Sequence, residues 1–297
     1  MTRKATLLES IHNGLTGSLG KVPDLHWVKD LPGGDINQAA LLSGGQTNWF
    51  VKYRVGAPAG MFEAEALALL EISATGCIRA PAPVAWGESD GTAWLVLEYL
   101  QLTSRGPASM LGEQLASLHG LSCDSFGWSR DNYIGTTPQL NRRSDNWTSF
   151  WRDCRLGPQL AMARDAGFGN RLSDRGERLL ASLDLLFKDH EPAASLLHGD
   201  LWAGNKAFTP AGQPVIFDPA SYYGDRETDI AMTELFGGFE PAFYAAYQAH
   251  SPLSAGYPLR RDLYKLYHVL NHLNLFGQAY LSRSESLIDG LLATLGV

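Results

Sequence analysis

Residues 198–205 read His-Gly-Asp-Leu-Trp-Ala-Gly-Asn and follow a short apolar run that is typical of a β-strand. Within this stretch, four residues separate Asp200 from Asn205. A loop carboxylate can accept the proton of a hydroxyl group, and an amide oxygen is a suitable ligand for Mg²⁺. A second apolar run, 215–217, is followed directly by Asp218, which offers another oxygen ligand. The two stretches predict a catalytic carboxylate, Asp200, and a metal pair, Asn205 and Asp218.

The weight of this pattern depends on other parts of the chain, because an aspartate and an asparagine at this spacing also occur in helix caps and turns. Lys52 ends a predicted strand, and an acidic helix is predicted over residues 61–75. Glu63 or Glu65 of this helix is expected to pair with Lys52. The two glutamates point to different sides of the helix, and the spacing alone leaves both open. This order of parts is that of protein-kinase-like enzymes, whose catalytic loop reads H-R-D-x-x-x-x-N.

Two features of the N-terminal part are predicted to bind a nucleotide. The loop 32–37, Pro-Gly-Gly-Asp-Ile-Asn, lies between two predicted strands, and its glycines let backbone N–H groups approach a phosphate. The run Glu98-Tyr99-Leu100 closes the predicted sheet in the manner of a kinase hinge. Together with Lys52 and its glutamate partner, the expected nucleotide-binding residues are Gly33, Gly34, Asn37, Glu98 and Leu100.

The periodicity of the apolar residues predicts an α+β fold with two lobes. A helix over residues 1–22 precedes residues 24–100, which are expected to form a five-stranded antiparallel sheet with one helix. The predicted domains are an N-lobe over residues 1–100, which binds the nucleotide, and a helical C-lobe over residues 101–297, which carries the catalytic loop and binds metal and acceptor. The main helices of the C-lobe are predicted at 109–118, 147–165, 173–187, 231–248 and 261–280.

The composition is that of an acidic globular protein. Its 297 residues include 24 Lys and Arg against 31 Asp and Glu, which gives a net charge of −7 and a pI of about 5.6. This balance argues against nucleic acid or an anionic membrane as a partner, and no apolar stretch approaches the roughly 20 residues that span a bilayer. Cys77, Cys123 and Cys154 form no paired motif, and no apolar signal segment is apparent. We therefore expect a cytoplasmic protein with reduced cysteines.

Six stretches of the sequence carry a resemblance to a known family: 61–65, 115–119, 197–205, 217–232, 235–239 and 266–277. The most specific of them are His-Gly-Asp-Leu-Trp at 198–202 and Leu-Asn-His-Leu-Asn-Leu-Phe-Gly at 270–277. Over nearly its whole length the chain resembles the fructosamine kinases, or ketosamine kinases, of the aminoglycoside phosphotransferase-like, protein-kinase-like superfamily. The resemblance implies a protein-kinase-like fold and favours Glu65 as the partner of Lys52. It also implies an ATP- and Mg²⁺-dependent kinase that phosphorylates the 3-hydroxyl of a ketosamine, a fructosamine or a ribulosamine, and thereby repairs glycated amines.

Two side chains are predicted to contact the acceptor. Protein kinases usually have a lysine two residues after the catalytic aspartate, whereas this chain has Trp202, whose ring can stack on a sugar. His272 lies in an aromatic-rich predicted helix and is the second candidate. Each also fits a plainer interpretation, as a core tryptophan or a satisfied core histidine. Asp229 is expected to hold the catalytic loop, to cap a helix, or both, and His198 to brace the loop.

Other functions stay open from the sequence alone. The same chemistry fits an aminoglycoside, choline or a homoserine-like alcohol, although a polycationic aminoglycoside requires a more acidic site. A pseudokinase that binds nucleotide as a scaffold is expected to lack at least one residue for phosphate, proton or metal, and all are present. A protein-kinase function is disfavoured, since only ten residues separate Asp218 from Asp229 and no Ala-Pro-Glu motif occurs. The expected acceptor is a small ketosamine or a glycated lysine on a protein, with the preferred sugar and the oligomeric state left open.

Overall fold

A five-stranded antiparallel sheet dominates the N-terminal part of the computed structural model, which describes residues 3–32 and 36–297. Its strands are β1 (His26–Leu31), β2 (Gln38–Gly44), β3 (Thr47–Val55), β4 (Pro83–Ser89) and β5 (Thr92–Glu98). They are ordered β1-β2-β3-β5-β4, and the register of β3 on β5 sets Lys52 opposite Leu95. The predicted sheet is therefore confirmed, whereas Gly33 and Gly34 of the predicted phosphate loop lie outside the described residues.

Two helices accompany this sheet, as the sequence predicts. Helix α1 (Arg3–Leu19) packs against β4 and β5. It does so with an apolar face of three buried residues spaced four apart, Leu7, Ile11 and Leu15. Helix α2 (Met61–Ala74) also contacts β4 and β5 and buries one of its two early glutamates, Glu65. The packing of α2 therefore decides which acidic side chain turns toward the sheet.

Helices form most of the chain after residue 107. They are α3 (Ala108–His119), α4 (Trp147–Trp151), α5 (Gly157–Asp165), α6 (Asn170–Ala181), α7 (Leu183–Phe187), α8 (Glu227–Thr233), α9 (Pro241–His250), α10 (Tyr257–Phe276) and α11 (Leu281–Leu295). The short strands are β6 (Ser122–Cys123), β7 (Asn132–Ile134), β8 (Thr137–Gln139), β9 (Ala194–Leu196), β10 (Lys206–Phe208), β11 (Pro214–Ile216) and β12 (Tyr223–Gly224). Across the described residues, no helix is both long and apolar enough to cross a membrane.

The contacts divide the chain into two compact units. The first comprises Met1–Pro107 with Lys206–Asp218, and the second Ala108–Asn205 with Pro219–Val297. The late segment of the first unit is the hairpin of β10 and β11. It is tied to the first unit by β-bridges between Arg79 and Val215 and between Thr103 and Phe208. A single cut between residues 100 and 101 does not describe this grouping, because the hairpin returns to the first unit from far along the chain.

The second unit places the segment 198–205 at the end of a small sheet. Strand β9 pairs with β6 on one side and with β12 on the other, and it ends two residues before His198. Helix α10 runs for 20 residues and contacts α5, α8 and α11, while α3 packs against α9. The segment 198–205 therefore leaves a strand that is held on both edges.

One predicted helix is wrong. The sequence suggests a single helix over 231–248, whereas α8 ends at Thr233 and α9 begins at Pro241. Gly237 and Gly238 between them have φ values of 102° and 77°, which a right-handed helix does not accommodate. The prediction failed because the apolar periodicity continues across the break, although the two glycines and Pro241 interrupt the helix there.

Other helices differ from the prediction in smaller ways. The helix predicted over 173–187 is interrupted at Ser182, whose φ of −106° and ψ of 3° leave the helical region. The helix predicted over 147–165 contains a π-helical turn at Arg152–Leu156. Helix α11 is absent from the prediction, although its buried residues recur at helical spacing.

Helices α3 and α9 approach each other closely at Gly112, where a Cβ atom would lie 2.3 Å from the carbonyl oxygen of Phe243. We expect Gly112→Ala to lower the free energy of unfolding by about 1–3 kcal/mol, because the two backbones would have to separate. The matched control is Gly290→Ala in α11, whose Cβ position has no described atom within 4 Å outside its own helical neighbours. Alanine there should be neutral or stabilise by up to about 1 kcal/mol. Urea unfolding measures both variants, and equal losses would contradict the close helix contact.

Candidate functional site

A buried ion cluster lies in the first unit where β3, α2 and the end of the β10–β11 hairpin meet. The ammonium group of Lys52 is 2.8 and 2.9 Å from the two carboxylate oxygens of Glu65 and 2.9 Å from Oδ1 of Asp218. Lys52 is 6% exposed and Glu65 9% exposed, so both charges are removed from water. The ion pair expected for Lys52 therefore forms with Glu65, because the packing of α2 turns this side chain inward.

Burial and charge act in opposite directions on the lysine. Burial by itself lowers the pKa of Lys52, but the Asp218 and Glu65 carboxylates outweigh it and raise the pKa above its ordinary value. Burial also raises the pKa of Glu65, and Asp218 adds to this effect while Lys52 opposes it. Lys52 is consequently a permanent cation at neutral pH.

Asp218 has an unusual backbone conformation, and its side chain is partly paired with Lys52 and partly exposed to solvent. Its φ of 60° lies in the left-handed region, which is rare for residues other than glycine and concentrates at functional sites. Its Oδ1 accepts from Lys52, yet 44% of the side chain remains exposed. The carboxylate can thus bind the lysine with one oxygen and offer the other to a cation.

In the second unit, Asp229 holds the loop that contains the predicted catalytic aspartate. Its carboxylate accepts the backbone N–H groups of His198 at 2.7 Å and Gly199 at 2.8 Å, and it is hydrogen-bonded to Nε2 of His119 at 3.1 Å. Burial by itself would raise the pKa of Asp229, but His119 and, less strongly, His198 and the Gly199 N–H hold it below its usual value. Asp229 is the third residue of α8, so it acts through the loop rather than as the cap of this helix.

His119 is a residue of this network to which the sequence analysis gave no role. Its Nδ1 lies 2.8 Å from the hydroxyl group of Tyr247, which in turn accepts a hydrogen bond from Arg226 at 3.0 Å. A signal was present, because His119 ends the stretch 115–119 that the family resemblance includes. Its buried position at the end of α3 could not be read from that stretch.

The structure brings the predicted catalytic residue Asp200 and the predicted metal ligand Asn205 into contact. The Asn205 amide nitrogen donates to the Asp200 carbonyl at 2.8 Å and to its Oδ2 at 3.3 Å. The Asp200 N–H donates to Nδ1 of His198 at 3.2 Å, so the buried His198 braces the loop. Gly199 is required here, since its φ is 83° and a Cβ atom would lie 2.1 Å from the Ala220 carbonyl oxygen. Asn205 belongs to the second unit and Asp218 to the first.

The two predicted acceptor residues belong to one aromatic group. The Trp202 ring, 38% exposed, meets Phe236 edge-on with centroids 6.2 Å apart, and Phe236 lies 4.7 Å from the His272 ring. His272 also contacts Phe276 and Tyr280, with centroids 5.4 and 5.2 Å away. Trp202 is therefore not a core tryptophan. Phe236 was missed by the sequence analysis, which placed it inside a continuous helix.

The other predicted nucleotide residues differ in what they can offer. The carboxylate of Glu98 is occupied, since it accepts from Arg79 at 2.5 Å and from the Ala82 N–H at 2.6 Å. These two bonds hold the Glu98 carboxylate against Arg79 and Ala82. Leu100 follows β5 and is partly buried. Asn37 is the last residue of the predicted phosphate loop, and its buried Oδ1 has no hydrogen-bond partner among the described residues.

The second unit also contains a second acidic cluster. Asp225, Glu227 and His190 bring their ligand atoms within 4.8 Å of one another. Their carboxylates already have partners. Arg260 donates to both oxygens of Glu227 at 2.8 and 2.9 Å, while Asp225 accepts from the Tyr264 hydroxyl group at 2.5 Å and is hydrogen-bonded to His190 at 2.6 Å. This cluster is a buried ion-pair network that joins α8 to α10.

A pH dependence of stability follows from His268, which is buried on α10. Burial, with His272 nearby, lowers the pKa of His268 to about 3, although Asp229 opposes this shift. The unfolded chain binds a proton near pH 6.5 and the folded chain does not. Stability from this residue is therefore complete above pH 6.5 and is lost as the pH falls toward 3.

As the pH falls from 6 to 4, we expect the unfolding free energy of the unsubstituted protein to decrease relative to that of its His268→Gln variant. The expected decrease is up to about 1.4 kcal/mol per pH unit. Glutamine is polar but does not titrate, so it serves as the reference. Urea unfolding at a series of pH values measures the difference. Parallel pH dependences of the two proteins would show that His268 takes up a proton in the folded state.

Comparison of sequences places this chain among known enzymes. A family model for fructosamine kinases matches residues 7–294. The chain is 45% identical over 267 residues to a Synechocystis sp. protein assigned as a ketoamine kinase, which covers 89% of this chain and 90% of that protein. It is 41% identical over 280 residues to the chloroplastic protein-ribulosamine 3-kinase of Arabidopsis thaliana, covering 93% and 86% of the two chains.

Comparison of structures agrees. A crystal structure assigned as a fructosamine-3-kinase of Haemophilus somnus superposes with a TM-score of 0.85 at 30% identity, covering 95% of this chain and 96% of the other. An aminoglycoside phosphotransferase in complex with AMP-PNP and hygromycin B shares the fold at 16% identity, with a TM-score of 0.64 and coverage of 96% and 98%. The predicted α+β, protein-kinase-like fold is confirmed. By sequence and by fold, this chain belongs to the fructosamine kinase family.

Proposed function

We propose that this protein is an ATP-dependent kinase that phosphorylates the 3-hydroxyl of a ketosamine, either a fructosamine or a ribulosamine. The observation that carries the proposal is the buried cluster of Lys52, Glu65 and Asp218 in a chain whose relatives are named ketoamine kinase and ribulosamine 3-kinase. A buried lysine that keeps its charge is suited to bind ATP phosphates. The 3-phosphate of a ketosamine is unstable, so the reaction regenerates the free amine and repairs glycation.

The transfer step assigns Asp200 to the acceptor. The 3-hydroxyl oxygen attacks the γ-phosphorus of ATP, its proton passes to the Asp200 carboxylate, and ADP leaves. The transition state of such transfers is loose, so orienting the hydroxyl group matters more than early removal of its proton. The hydrogen bond that Asn205 donates to Asp200, and the one that the Asp200 N–H donates to His198, fix the loop that carries this carboxylate.

Mg²⁺ accompanies ATP in this proposal, and Asn205 and Asp218 are its protein ligands. Both offer hard oxygen atoms, which is the donor set that Mg²⁺ prefers. The Asn205 amide nitrogen donates to Asp200, so its amide oxygen is the atom that we assign to the ion. The Asp218 carboxylate keeps an exposed portion beyond its bond to Lys52. The ion would supply positive charge to the transferring phosphoryl group.

The remaining nucleotide contacts follow from the first unit. Gly33 and Gly34 are assigned to the phosphates, with Asn37 at the end of their loop. Main-chain groups of Glu98 and Leu100 are assigned to the base, because the Glu98 carboxylate already binds Arg79. In these assignments ATP is bound by the loop after β1, by Lys52 on β3 and by the chain at the end of β5.

The acceptor assignment uses the aromatic group. Trp202 is exposed and joined to His272 through Phe236, which gives an aromatic surface on which a sugar ring or chain can pack. The charged group recorded against this surface is the Arg283 guanidinium, 5.9 Å from the Phe236 ring centroid, whereas a polycationic aminoglycoside would require dense negative charge. The amine of the acceptor can be a free small molecule or a lysine side chain of a glycated protein.

We also assign the protein to the cytoplasm, without nucleic acid or membrane as a partner. Cys77, Cys123 and Cys154 are all free thiols, which suits a reducing compartment. The net charge of −7 disfavours polyanionic surfaces.

The ion cluster can be tested by exchanging each helix glutamate for its amide. Glu65→Gln removes one of two charges that hold Lys52, so we expect kcat/KM for ATP to fall by about 100-fold. Glu63→Gln on the same helix is the matched control and should stay within about twofold of the unchanged protein. Steady-state kinetics with Mg·ATP measure both. Equal losses in the two variants would contradict the assignment of Glu65.

The substrate class is tested by ADP release from Mg·ATP with ribulosyl-lysine, fructosyl-lysine, erythrulosyl-lysine, kanamycin, choline or no acceptor. We expect turnover with the ketosamines alone, and we expect Asp200→Asn to lower it by about 10²- to 10⁴-fold. Thermal shift with Mg·ATP is the control, since the variant should still bind nucleotide. Turnover with kanamycin or choline, or full activity of Asp200→Asn, would overturn the proposal.

A further inference from the structure

Five buried polar side chains form a network that none of the roles above uses. They are Asn132 on β7, Gln139 at the end of β8, Asn141 just beyond it, Arg155 in the π-helical turn and Tyr267 on α10. Each is at most 3% exposed. Polar groups are costly to bury unless they are hydrogen-bonded, and a fully connected network specifies one arrangement of the elements that supply it.

The hydrogen bonds run continuously through these side chains. Arg155 donates from Nη2 to Oδ1 of Asn141 at 2.8 Å. Asn141 and Gln139 each donate an amide N–H to Oδ1 of Asn132, both at 2.8 Å. Tyr267 donates its hydroxyl proton to Oε1 of Gln139 at 2.7 Å. The π-helical turn, the β7–β8 hairpin and α10 are thereby joined.

The network ends on the main chain just after Asp218 in the sequence. Gln139 Nε2 donates to the Ala220 carbonyl at 3.0 Å, and Asn132 Nδ2 donates to the Ser221 carbonyl at 2.8 Å. The same short segment is hydrogen-bonded to the catalytic loop, since the Ala220 N–H donates to the His198 carbonyl at 2.9 Å. The polar network, the segment of Ala220 and Ser221 and the catalytic loop are therefore connected by hydrogen bonds inside the second unit.

Arg155 gives the path a fixed anchor. It is fully buried, and none of the ion pairs formed by the described residues involves it. Its guanidinium group instead donates to the carbonyls of Leu140 at 2.5 Å and Cys154 at 2.8 Å. Its centre lies 3.8 Å from the ring centroid of Tyr222, whose carbonyl accepts the Leu197 N–H at 3.0 Å. Arg155 thus packs on Tyr222, which is hydrogen-bonded to Leu197, the residue directly before the catalytic loop.

We propose that this network positions the catalytic loop, and that Gln139 is a positioning residue for phosphoryl transfer. Apolar side chains of similar volume would fill the same space with less desolvation, so stability alone does not explain five buried polar groups. The path leads within two hydrogen bonds from Gln139 to His198, which is two residues before Asp200. A displacement of the loop by about 1 Å is enough to cost up to about 10²-fold in rate.

The test measures kcat and KM for two variants of the full-length protein. Gln139→Met keeps the length of the side chain and removes its donors to Ala220 and Asn132. We expect kcat to fall at least about tenfold, while KM for Mg·ATP and for the ketosamine stays within about threefold. Tyr267→Phe removes one hydroxyl group and should lower kcat by about threefold. This milder variant decides the question if Gln139→Met does not fold.

The control is Leu172→Ala in α6, a buried side chain outside the network. It should lower the melting temperature at least as much as Gln139→Met, because losing a buried leucine costs about 2–5 kcal/mol, yet leave kcat unchanged. All variants are compared at the same interval below their melting temperatures. A kcat for Gln139→Met or Tyr267→Phe no lower than that of Leu172→Ala would overturn the inference.

This inference rests on the proposed role of Asp200, and the two can fail separately. Full activity of Asp200→Asn would remove the proposed function whatever the network does. Loss of activity in Asp200→Asn, with Gln139→Met behaving as Leu172→Ala does, would keep the function and remove only the positioning role.

Discussion

A lysine ammonium group removed from water and held by two carboxylates is the interaction on which the first unit depends. The cost of burying Lys52 is large unless its partners are in place, so β3, α2 and the segment ending at Asp218 must all be correctly formed. Asp218 reaches the lysine from 166 residues along the chain, because the β10–β11 hairpin returns to the first unit. The bridge from Arg79 to Val215 secures that return. Because Lys52 needs both carboxylates, the register of β3, the orientation of α2 and the position of the β10–β11 hairpin depend on one another.

The second unit uses aspartates in contrasting environments. Asp229 is buried, accepts the N–H groups of the catalytic loop and has a lowered pKa, so it stays charged and serves as a rigid acceptor. Asp200 is partly exposed and is oriented by Asn205, which leaves it accessible to an acceptor hydroxyl group. The two carboxylates therefore differ in environment rather than in residue type, and this difference supports the proposal that Asp200 accepts the proton of the acceptor.

The sequence predicts those parts of the site whose chemistry depends on local spacing. Asp200 and Asn205 lie on one short loop, and their hydrogen bond follows from that spacing. Sequence spacing left Glu63 and Glu65 both open, because only the packing of α2 decides which of them turns toward Lys52. The family resemblance favoured Glu65, and the structure shows the reason, because α2 buries Glu65 within hydrogen-bonding distance of Lys52.

The features that the sequence analysis missed lie where periodicity carries no information. Apart from Tyr267 on α10, the polar network is supplied by short strands, a loop end and a π-helical turn, which have no regular apolar pattern. Phe236 sits at a φ of 41° beside two glycines, in a segment whose aromatic residues suggested a continuous helix. His119 and Asp229 are 110 residues apart, and their contact depends on tertiary packing of α3 near α8.

The most direct test of this account is the position of the phosphoryl group in the product. After reaction of ribulosyl-lysine with Mg·ATP, ¹H–³¹P correlation spectroscopy shows which sugar carbon carries the phosphate. The account predicts a correlation of phosphorus with the hydrogen on carbon 3, followed by loss of this signal as free lysine appears. Phosphate on another carbon, or ADP formation without a sugar phosphate, would contradict it.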